Sequence, residues 1–185
     1  MARAVLSRSA DANVVVMAAA VDHLVAHSSG DTVTELAAAG TDRVDSSVTR
    51  TLETNVEHLT LTGTAAINGT GNAVANVIIG NSANNVLNGL AGNDNMSGGL
   101  GDDSYIVDAT GDVTTEAAGE GTDTVFSSVT RTLGANLENL TLTGGANING
   151  IGNTQDNLLS GNDGNNTLNG GGGADAMAGG LGNDT

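Results

Sequence analysis

The chain has 185 residues, enough for one domain or a short repeat array, with 21 acidic against 5 basic residues. The formal net charge of −16 excludes nucleic acid and anionic membrane surfaces as partners, because both need a basic face, and it fits a chain that binds cations. With 28 glycines, one tyrosine, one phenylalanine and no cysteine or tryptophan, an aromatic core and disulfide bonds are excluded as the source of stability.

The first 21 residues match no other part of the chain and form a non-repeat N-terminal segment, 1–21. Arg3 and Arg8 precede an apolar stretch at 14–21, as in a secretory leader. The acidic Asp11 and the lack of a clear cleavage site favour a stray start instead. No apolar run approaches the roughly 20 residues that cross a bilayer, so no membrane span is predicted.

The rest of the chain is two copies of one long unit. GDTVTELAAAGTDRVDSSVTRTL at 30–52 returns as GDVTTEAAGEGTDTVFSSVTRTL at 111–133, an offset of 81 residues. We therefore assign repeat unit one to 22–103 and repeat unit two to 104–185. The Thr-, Val- and Leu-rich segments of each unit predict strands. Because the second unit stops within a motif, we expect the chain to be cut from a longer array.

Each unit ends in motifs of nine residues, at 71–106 and 152–185. Their eighth place is apolar, as in Ile78, Met96 and Tyr105, and their sixth place is Asn or Asp. A nine-residue period fits a short turn and a short strand, with glycine supplying the positive φ angles of the turn. One motif cannot bury its apolar residue alone, so the motifs are predicted to stack into a solenoid.

The motif GGLGDDSYI at 98–106 resembles the RTX, or hemolysin-type, calcium-binding repeat G-G-x-G-x-D-x-U-x at every fixed position, and so does GGGGADAMA at 170–178. GLAGNDNMS at 89–97 differs only at Leu90. The resemblance covers 22–185. It implies an all-β, right-handed parallel β-roll or β-helix in which two motifs form one turn and Ca²⁺ lies between stacked turns. It also implies a secreted, extracellular bacterial protein and a type I secretion apparatus as a partner.

Calcium takes about six to eight hard oxygen ligands, which carboxylates and the carbonyls of glycine turns supply. The family's roll pairs each sixth place with the one two motifs later. The acidic ligands predicted in this way are Asp94, Asp103, Asp112, Asp175 and Asp184, with Asp108 nearby. The glycines of the predicted metal-binding turns are Gly89, Gly92, Gly98, Gly101, Gly170, Gly173, Gly179 and Gly182.

The first two motifs of each block carry asparagine at the sixth place. These residues are Asn76, Asn85, Asn157 and Asn166. Asparagine offers a carbonyl oxygen but no charge, so the sites there are predicted to be weaker or missing, with hydrogen-bonded asparagine ladders holding the turns.

Other acids and the methionines leave simpler interpretations open. Asp31, Glu35, Asp42, Glu116 and Asp123 are either ligands or solvated groups at strand edges. Met96 and Met177 are predicted core residues. No enzyme is predicted, because HLVAH at 23–27 has Leu24 where a zinc-peptidase motif needs Glu.

The sequence thus predicts a non-catalytic calcium-binding β-solenoid whose folding is coupled to Ca²⁺, because repulsion among acids disfavours the compact state until a cation neutralises them. A structural spacer or adhesin stalk segment remains an alternative. So does the C-terminal tail of a secreted hydrolase or epimerase, whose catalytic domain residues 1–21 cannot supply. The open end of the last turn also leaves end-to-end self-association open.

Overall fold

The computed structural model describes residues 3–5, 14–17, 23–26, 28–36 and 40–185. Most of the predicted non-repeat segment 1–21 and His27 lie outside the described residues. In the part of the chain that is described, every regular element is a β-strand of two to four residues. No helix in that part is long and apolar enough to cross a membrane.

The strands follow one another at short intervals along the chain. The first ten are β1 (Arg3–Val5), β2 (Val14–Met17), β3 (His23–Ala26), β4 (Thr32–Glu35), β5 (Arg43–Ser46), β6 (Arg50–Thr51), β7 (His58–Leu61), β8 (Gly69–Thr70), β9 (Val77–Ile79) and β10 (Val86–Asn88). The next ten are β11 (Asn95–Ser97), β12 (Ser104–Val107), β13 (Val113–Thr114), β14 (Thr124–Ser127), β15 (Arg131–Thr132), β16 (Asn139–Leu142), β17 (Gly150–Ile151), β18 (Leu158–Ser160), β19 (Leu168–Asn169) and β20 (Ala176–Ala178).

Every strand pair found in the described ranges is parallel and joins a strand to the one two elements further along the chain. The first long sheet has the order β1-β3-β5-β7-β9-β11-β13, and the second has the order β20-β18-β16-β14-β12-β10-β8-β6. Two shorter sheets contain β15-β17-β19 and β2-β4. Successive strands therefore alternate between two faces, with one strand per half-turn. The predicted all-β parallel solenoid, of the β-roll kind, is confirmed.

Register within the first block places equivalent apolar residues on top of one another. Ile78 pairs with Met96, and Leu87 pairs with Tyr105. Beyond the block the turns change length, so Tyr105 pairs with Val125, which lies further along the chain than a two-motif step. The nonapeptide stacking is thus regular, and the turns outside the blocks vary in length, as in the step from Thr124 to Asn139.

Equivalent strands of the two units lie in different sheets. Strands β5, β7, β9 and β11 of unit one lie in the first sheet, whereas their counterparts β14, β16, β18 and β20 of unit two lie in the second. Counterparts are nine strands apart in the chain. Because strands alternate between the two faces, an odd offset moves every counterpart to the other face. Unit two therefore begins half a turn out of phase with unit one.

The core is a continuous stack of apolar side chains between the two faces. Ile78, Leu87, Met96 and Tyr105 are fully buried, and Tyr105 is the largest of them. Burying a side chain of this size contributes about 1.5–3 kcal/mol relative to leaving it exposed. The predicted core role is confirmed for Met96. Met177 on β20 is 53% exposed, because no described strand pairs beyond β20.

Candidate metal centre

The nonapeptide blocks contain two kinds of turn. Asparagine turns read G-N-x-x-x-N and open each block, whereas aspartate turns read G-x-x-G-x-D and close it. The two kinds differ in backbone conformation as well as in the side chain at the sixth place.

In the asparagine turns, side-chain amides satisfy the backbone. Asn76 Oδ1 accepts the N–H of Asn72 at 2.8 Å. Its Nδ2 donates to the carbonyls of Val56 and Glu57 in the preceding turn, at 3.0 and 3.3 Å. Asn72 Oδ1 in turn accepts the N–H of Val74 at 3.0 Å and closes an Asx turn. The sixth-place amide therefore joins two stacked turns by hydrogen bonds alone.

The same bond to the preceding turn recurs at the other three asparagine positions. Nδ2 of Asn85, Asn157 and Asn166 donates to the carbonyls of Ile67, Leu137 and Ile148 at 2.6, 3.0 and 2.7 Å. The expected asparagine ladder is therefore present, and its amide hydrogens are directed at the carbonyls that a cation between turns would also need.

The aspartate turns use left-handed backbone at the fourth place. Gly92, Gly101, Gly173 and Gly182 have φ angles of 145°, 120°, 112° and 103°. At Gly92 a Cβ would also lie 2.8 Å from the carbonyl oxygen of Val74. Both the φ angle and the lack of space therefore exclude a side chain at this position.

The first-place glycine makes room for the sixth-place carboxylate. A Cβ at Gly89 would lie 2.2 Å from Oδ2 of Asp94, and one at Gly98 would lie 2.0 Å from Oδ2 of Asp103. Gly170 and Gly179 stand in the same relation to the two acids of the second block. The glycines of the motif thus form a cradle into which the carboxylate folds back.

Asp94 and Asp103 are buried carboxylates with one oxygen paired and one not. Oδ1 of Asp94 accepts the N–H of Asn76 at 2.7 Å, and Oδ1 of Asp103 accepts the N–H of Asn85 at 2.6 Å. Neither Oδ2 atom has a hydrogen-bond partner in the described part of the chain. Burial raises the pKa of Asp94, and it raises the pKa of Asp103 to about 6. The structure thus brings together the first two predicted pairs and leaves each with a buried oxygen that lacks a donor.

The second block repeats these contacts at its end. Asp175 Oδ1 accepts the N–H of Asn157 at 2.9 Å, and Asp184 Oδ1 accepts the N–H of Asn166 at 2.9 Å. Both carboxylates are only half-buried, because they lie in the last described turns. The four predicted sixth-place pairs are therefore all in contact.

Asp112 is placed differently from the other predicted ligands. Its Oδ1 accepts the N–H of Asp94 at 3.0 Å, and its Oδ2 accepts the N–H groups of Asp108 and Ala109 at 3.2 and 3.1 Å. Arg131 Nη1 donates to the backbone carbonyl of Asp112 at 2.6 Å. Asp108 itself is exposed, and its pKa is raised by partial burial and by the charge of Asp112. Both carboxylate oxygens of Asp112 therefore have hydrogen-bond donors, and the side chain closes a turn. Its role as a calcium ligand stays a prediction.

A further acidic cluster lies where the first block meets unit two. Asp103, Glu116 and Asp123 are all buried, and each offers one oxygen within 4.8 Å of those of the other two. Asp123 Oδ1 also accepts the N–H of Asp103 at 2.8 Å. Of the two interpretations left open for Glu116 and Asp123, the solvated one is therefore wrong. The sequence does contain a signal for these two acids, because Glu35 and Asp42 occupy the equivalent positions of unit one, 81 residues earlier.

Glu116 accepts hydrogen bonds from two donors through one oxygen, and its carboxyl group also lies beside that of Glu120. Its Oε1 accepts the hydroxyl of Tyr105 and the N–H of Gly98, the latter at 3.2 Å. Its Oε2 is buried and has no hydrogen-bond partner within the described ranges. Burial, followed by the charge of Asp123, raises the pKa of Glu116 to about 8. Burial likewise raises the pKa of Asp123 to about 6.

The donor set fits calcium. Carboxylate oxygens and turn carbonyls are hard ligands, and at neutral pH they suit Ca²⁺ better than a metal that prefers nitrogen or sulfur. The unpaired Oδ2 atoms of Asp94 and Asp103 carry a desolvation cost that a bound cation would offset.

Comparison with known proteins agrees with this chemistry. The family described as RTX calcium-binding nonapeptide repeat (4 copies) matches residues 70–105 and 151–185. No curated protein and no solved structure matches the chain. The matched segments coincide with the two blocks that hold the asparagine and aspartate turns. Residues 70–105 and 151–185 thus match the RTX calcium-binding repeat, and both segments lie in one β-solenoid.

Proposed function

We propose that this protein is a non-catalytic, calcium-binding β-solenoid whose folding is coupled to Ca²⁺. The observation that carries the proposal is the pair of buried Oδ2 atoms of Asp94 and Asp103, which find no donor in the described part of the chain. They stand in turns that match the calcium-binding repeat family. A carboxylate that is buried without a donor destabilises the fold until a cation is bound.

The calcium ligands are assigned to the aspartate turns. Their acids are Asp94, Asp103, Asp175 and Asp184, and the contributing turn glycines are Gly89, Gly92, Gly98, Gly101, Gly170, Gly173, Gly179 and Gly182. The asparagine turns hold without metal, because Nδ2 of Asn76 and its counterparts already donates to carbonyls of the preceding turn. Each block is thus metal-free at its start and metal-dependent at its end.

Coupling between calcium and folding follows from the charge. The chain carries a formal net charge of −16, and several of its acids are buried close to one another. Their repulsion opposes the compact state when no cation is present. Because the ligands come together only in stacked turns, the free energy of calcium binding becomes free energy of folding.

The location of the protein is proposed from its family alone. RTX repeats imply a secreted bacterial protein that leaves the cell through a type I apparatus and folds outside, where calcium is abundant. A structural spacer or stalk is the second candidate function. It is favoured by the pairing of β10 with β12, which continues the second sheet from unit one into unit two.

Circular dichroism of the metal-free chain, with and without added Ca²⁺, tests the coupling, and calorimetry counts the ions. We expect β structure to appear or to become more stable with Ca²⁺. Replacing Asp94 and Asp103 together by Asn should lower the number of bound ions, whereas Asp163→Asn, an exposed acid of an asparagine turn, should leave it unchanged. An unchanged β spectrum in excess EGTA, with no binding heat, would contradict the proposal.

A further inference from the structure

We infer that Asp103, Glu116 and Asp123 together form a calcium site, which we call the junction site and which shares Asp103 with the aspartate turns. It lies where the first nonapeptide block meets unit two. Glu116 and Asp123 fall between the segments that match the repeat family, 70–105 and 151–185, so the repeat pattern does not account for them. The inference deepens the proposed function and rests on it.

Three different segments build the junction site. Asp103 precedes β12, Asp123 precedes β14, and these strands are neighbours in the second sheet. Glu116 follows β13, which lies in the first sheet. The chain between β13 and β14 thus returns from one face to the other and brings the third carboxylate to the first two.

Three buried carboxylates at this separation cannot all carry charge without a counter-ion. Asp103 and Glu116 are 1% and 6% exposed. Asp103 Oδ2 and Glu116 Oε2 are both buried, and neither finds a hydrogen-bond partner among the residues that the structure describes. Glu116 Oε2 adds to the evidence from Asp103 Oδ2, because an oxygen of a buried carboxylate normally has a donor or a cation as its partner.

Tyr105 and Gly98 orient the glutamate. The Tyr105 hydroxyl and the Gly98 N–H both donate to Oε1 of Glu116, which leaves Oε2 as its ligand oxygen. The Gly98 N–H also donates to the Tyr105 hydroxyl oxygen at 2.5 Å. The fully buried ring fixes the hydroxyl, so the carboxylate has one orientation before a cation arrives.

The acids of the junction site recur in unit one. The unit offset relates Asp103, Glu116 and Asp123 to Asp22, Glu35 and Asp42. Asp22 lies outside the described residues, whereas Glu35 and Asp42 are buried like their counterparts. The recurrence of all three acids indicates a feature of the unit, and Leu24 in place of Tyr105 makes the site in unit two distinguishable by spectroscopy.

Terbium luminescence of the full chain tests the inference. Tb³⁺ is a hard cation that can substitute for Ca²⁺, and it emits when an aromatic ring close to it is excited. Tyr105 is the only tyrosine, and there is no tryptophan. We expect tyrosine-sensitised emission that saturates with Tb³⁺ and is displaced by Ca²⁺.

Variants separate the junction site from the aspartate turns. Glu116→Gln and Asp123→Asn should each raise the Tb³⁺ concentration for half-maximal emission by at least about tenfold. Asp163→Asn, with the same loss of charge, and Asp175→Asn, in the second block, should leave that concentration unchanged. Tyr105→Phe should abolish the emission, because it removes the only tyrosine of the chain.

The outcomes distinguish this inference from the proposed function. Calcium binding by calorimetry without tyrosine-sensitised emission overturns the junction site and leaves the aspartate turns standing. Emission that is unchanged in Glu116→Gln and Asp123→Asn also overturns it, because an ion at Asp103 alone would explain the signal. Absence of all binding overturns both. If Glu116→Gln fails to fold, the wild-type Tb³⁺ titration and the Asp123→Asn variant still test the junction site.

Discussion

Leu90 stands where the repeat pattern has glycine, and its backbone follows the pattern nonetheless. Its φ angle is 61°, in the left-handed region, where the equivalent Gly99 and Gly171 have 86° and 88°. A residue with a branched side chain adopts this conformation at a cost of about 1–2 kcal/mol. The mismatch seen in the sequence is therefore a local strain in the aspartate turn and leaves the turn geometry intact.

Replacing Leu90 by glycine should stabilise the calcium-loaded protein. The relief of strain exceeds the extra entropy that glycine gains in the unfolded chain, so we expect a net gain of about 0.5–1 kcal/mol. The leucine is 38% exposed, so its loss removes little buried area. Denaturant unfolding in saturating Ca²⁺ measures the change. Leu100→Gly is the matched control, because Leu100 is 54% exposed and has no left-handed φ, and it should destabilise.

Three raised pKa values at the junction site predict how the stability of the metal-free protein changes with pH. The pKa is about 6 for Asp103 and Asp123 and about 8 for Glu116, in each case chiefly through burial. The folded protein therefore keeps protons that the unfolded chain releases. This contribution to stability is complete below about pH 4 and is lost as the pH rises through these values.

The melting temperature of the metal-free protein should consequently fall between about pH 5 and pH 8, whereas its apparent calcium affinity should rise over the same range. Protein freed of metal by desalting avoids the pH dependence of chelators. A melting temperature that increases with pH without Ca²⁺ would show that these carboxylates are not protonated in the fold. Glu116→Gln, which removes the highest of the three pKa values, should flatten the upper part of the profile.

At the scale of the strand and its turn, asparagine and aspartate at the sixth place of the motif make different contacts with the preceding turn. Asn85 Nδ2 donates to the carbonyl of Ile67 at 2.6 Å and to Asn81 Oδ1 at 3.1 Å. An aspartate at this position would place a carboxylate oxygen, which cannot donate, opposite both of these acceptor oxygens. The asparagine amide thus donates to acceptors that a cation would otherwise have to bind. Under the proposed function, the residue at the sixth place therefore decides which turns need metal.

Asn85→Asp should destabilise the protein by about 1–3 kcal/mol, because the buried carbonyl of Ile67 loses its donor and Asn81 Oδ1 meets a carboxylate oxygen. Asn84→Asp is the matched control, since Asn84 is exposed and uses only Oδ1, which accepts the N–H of Asp102 and survives the change. Denaturant unfolding in EGTA compares the two. A gain in bound calcium together with unchanged stability in Asn85→Asp would mean that the asparagine turn is a metal site after all.

Much of the fold was predictable because the period is strict. The fixed place of the apolar residue predicts the short strand, and the resemblance to the RTX repeat supplies the two-motif step that sets Ile78 on Met96. The junction site was not predictable in the same way. Glu116 reaches Asp103 only because the segment after β13 crosses from one face to the other, and no local spacing encodes that crossing. Asp112 was expected to be a ligand on spacing alone; its oxygens accept N–H groups of Asp94, Asp108 and Ala109, and its role as a ligand stays a prediction.

The whole molecule shows why the unit length matters. Nine strands separate counterparts in the two units, so identical segments lie on opposite faces of one solenoid. Each strand contacts chiefly the strands of the adjoining turns, so stability is close to a sum over neighbouring turns. The number of half-turns upstream therefore decides on which face every later strand lies, although the sequence of that strand is unchanged.

Deleting two nonapeptides, 71–88, should be tolerated better than deleting one, 80–88. The longer deletion removes a full turn and leaves β11 on the face of β7, where Met96 takes the place of Ile78 against Leu59. The shorter deletion removes half a turn, Leu87 included, so it sets β11 against β8 and moves every later strand to the other face. The denaturant midpoint in Ca²⁺ should therefore be lower for the shorter deletion, although it retains more residues. Equal midpoints, or a lower one for 71–88, would show that the two faces are interchangeable and that half-turn phase carries no free energy.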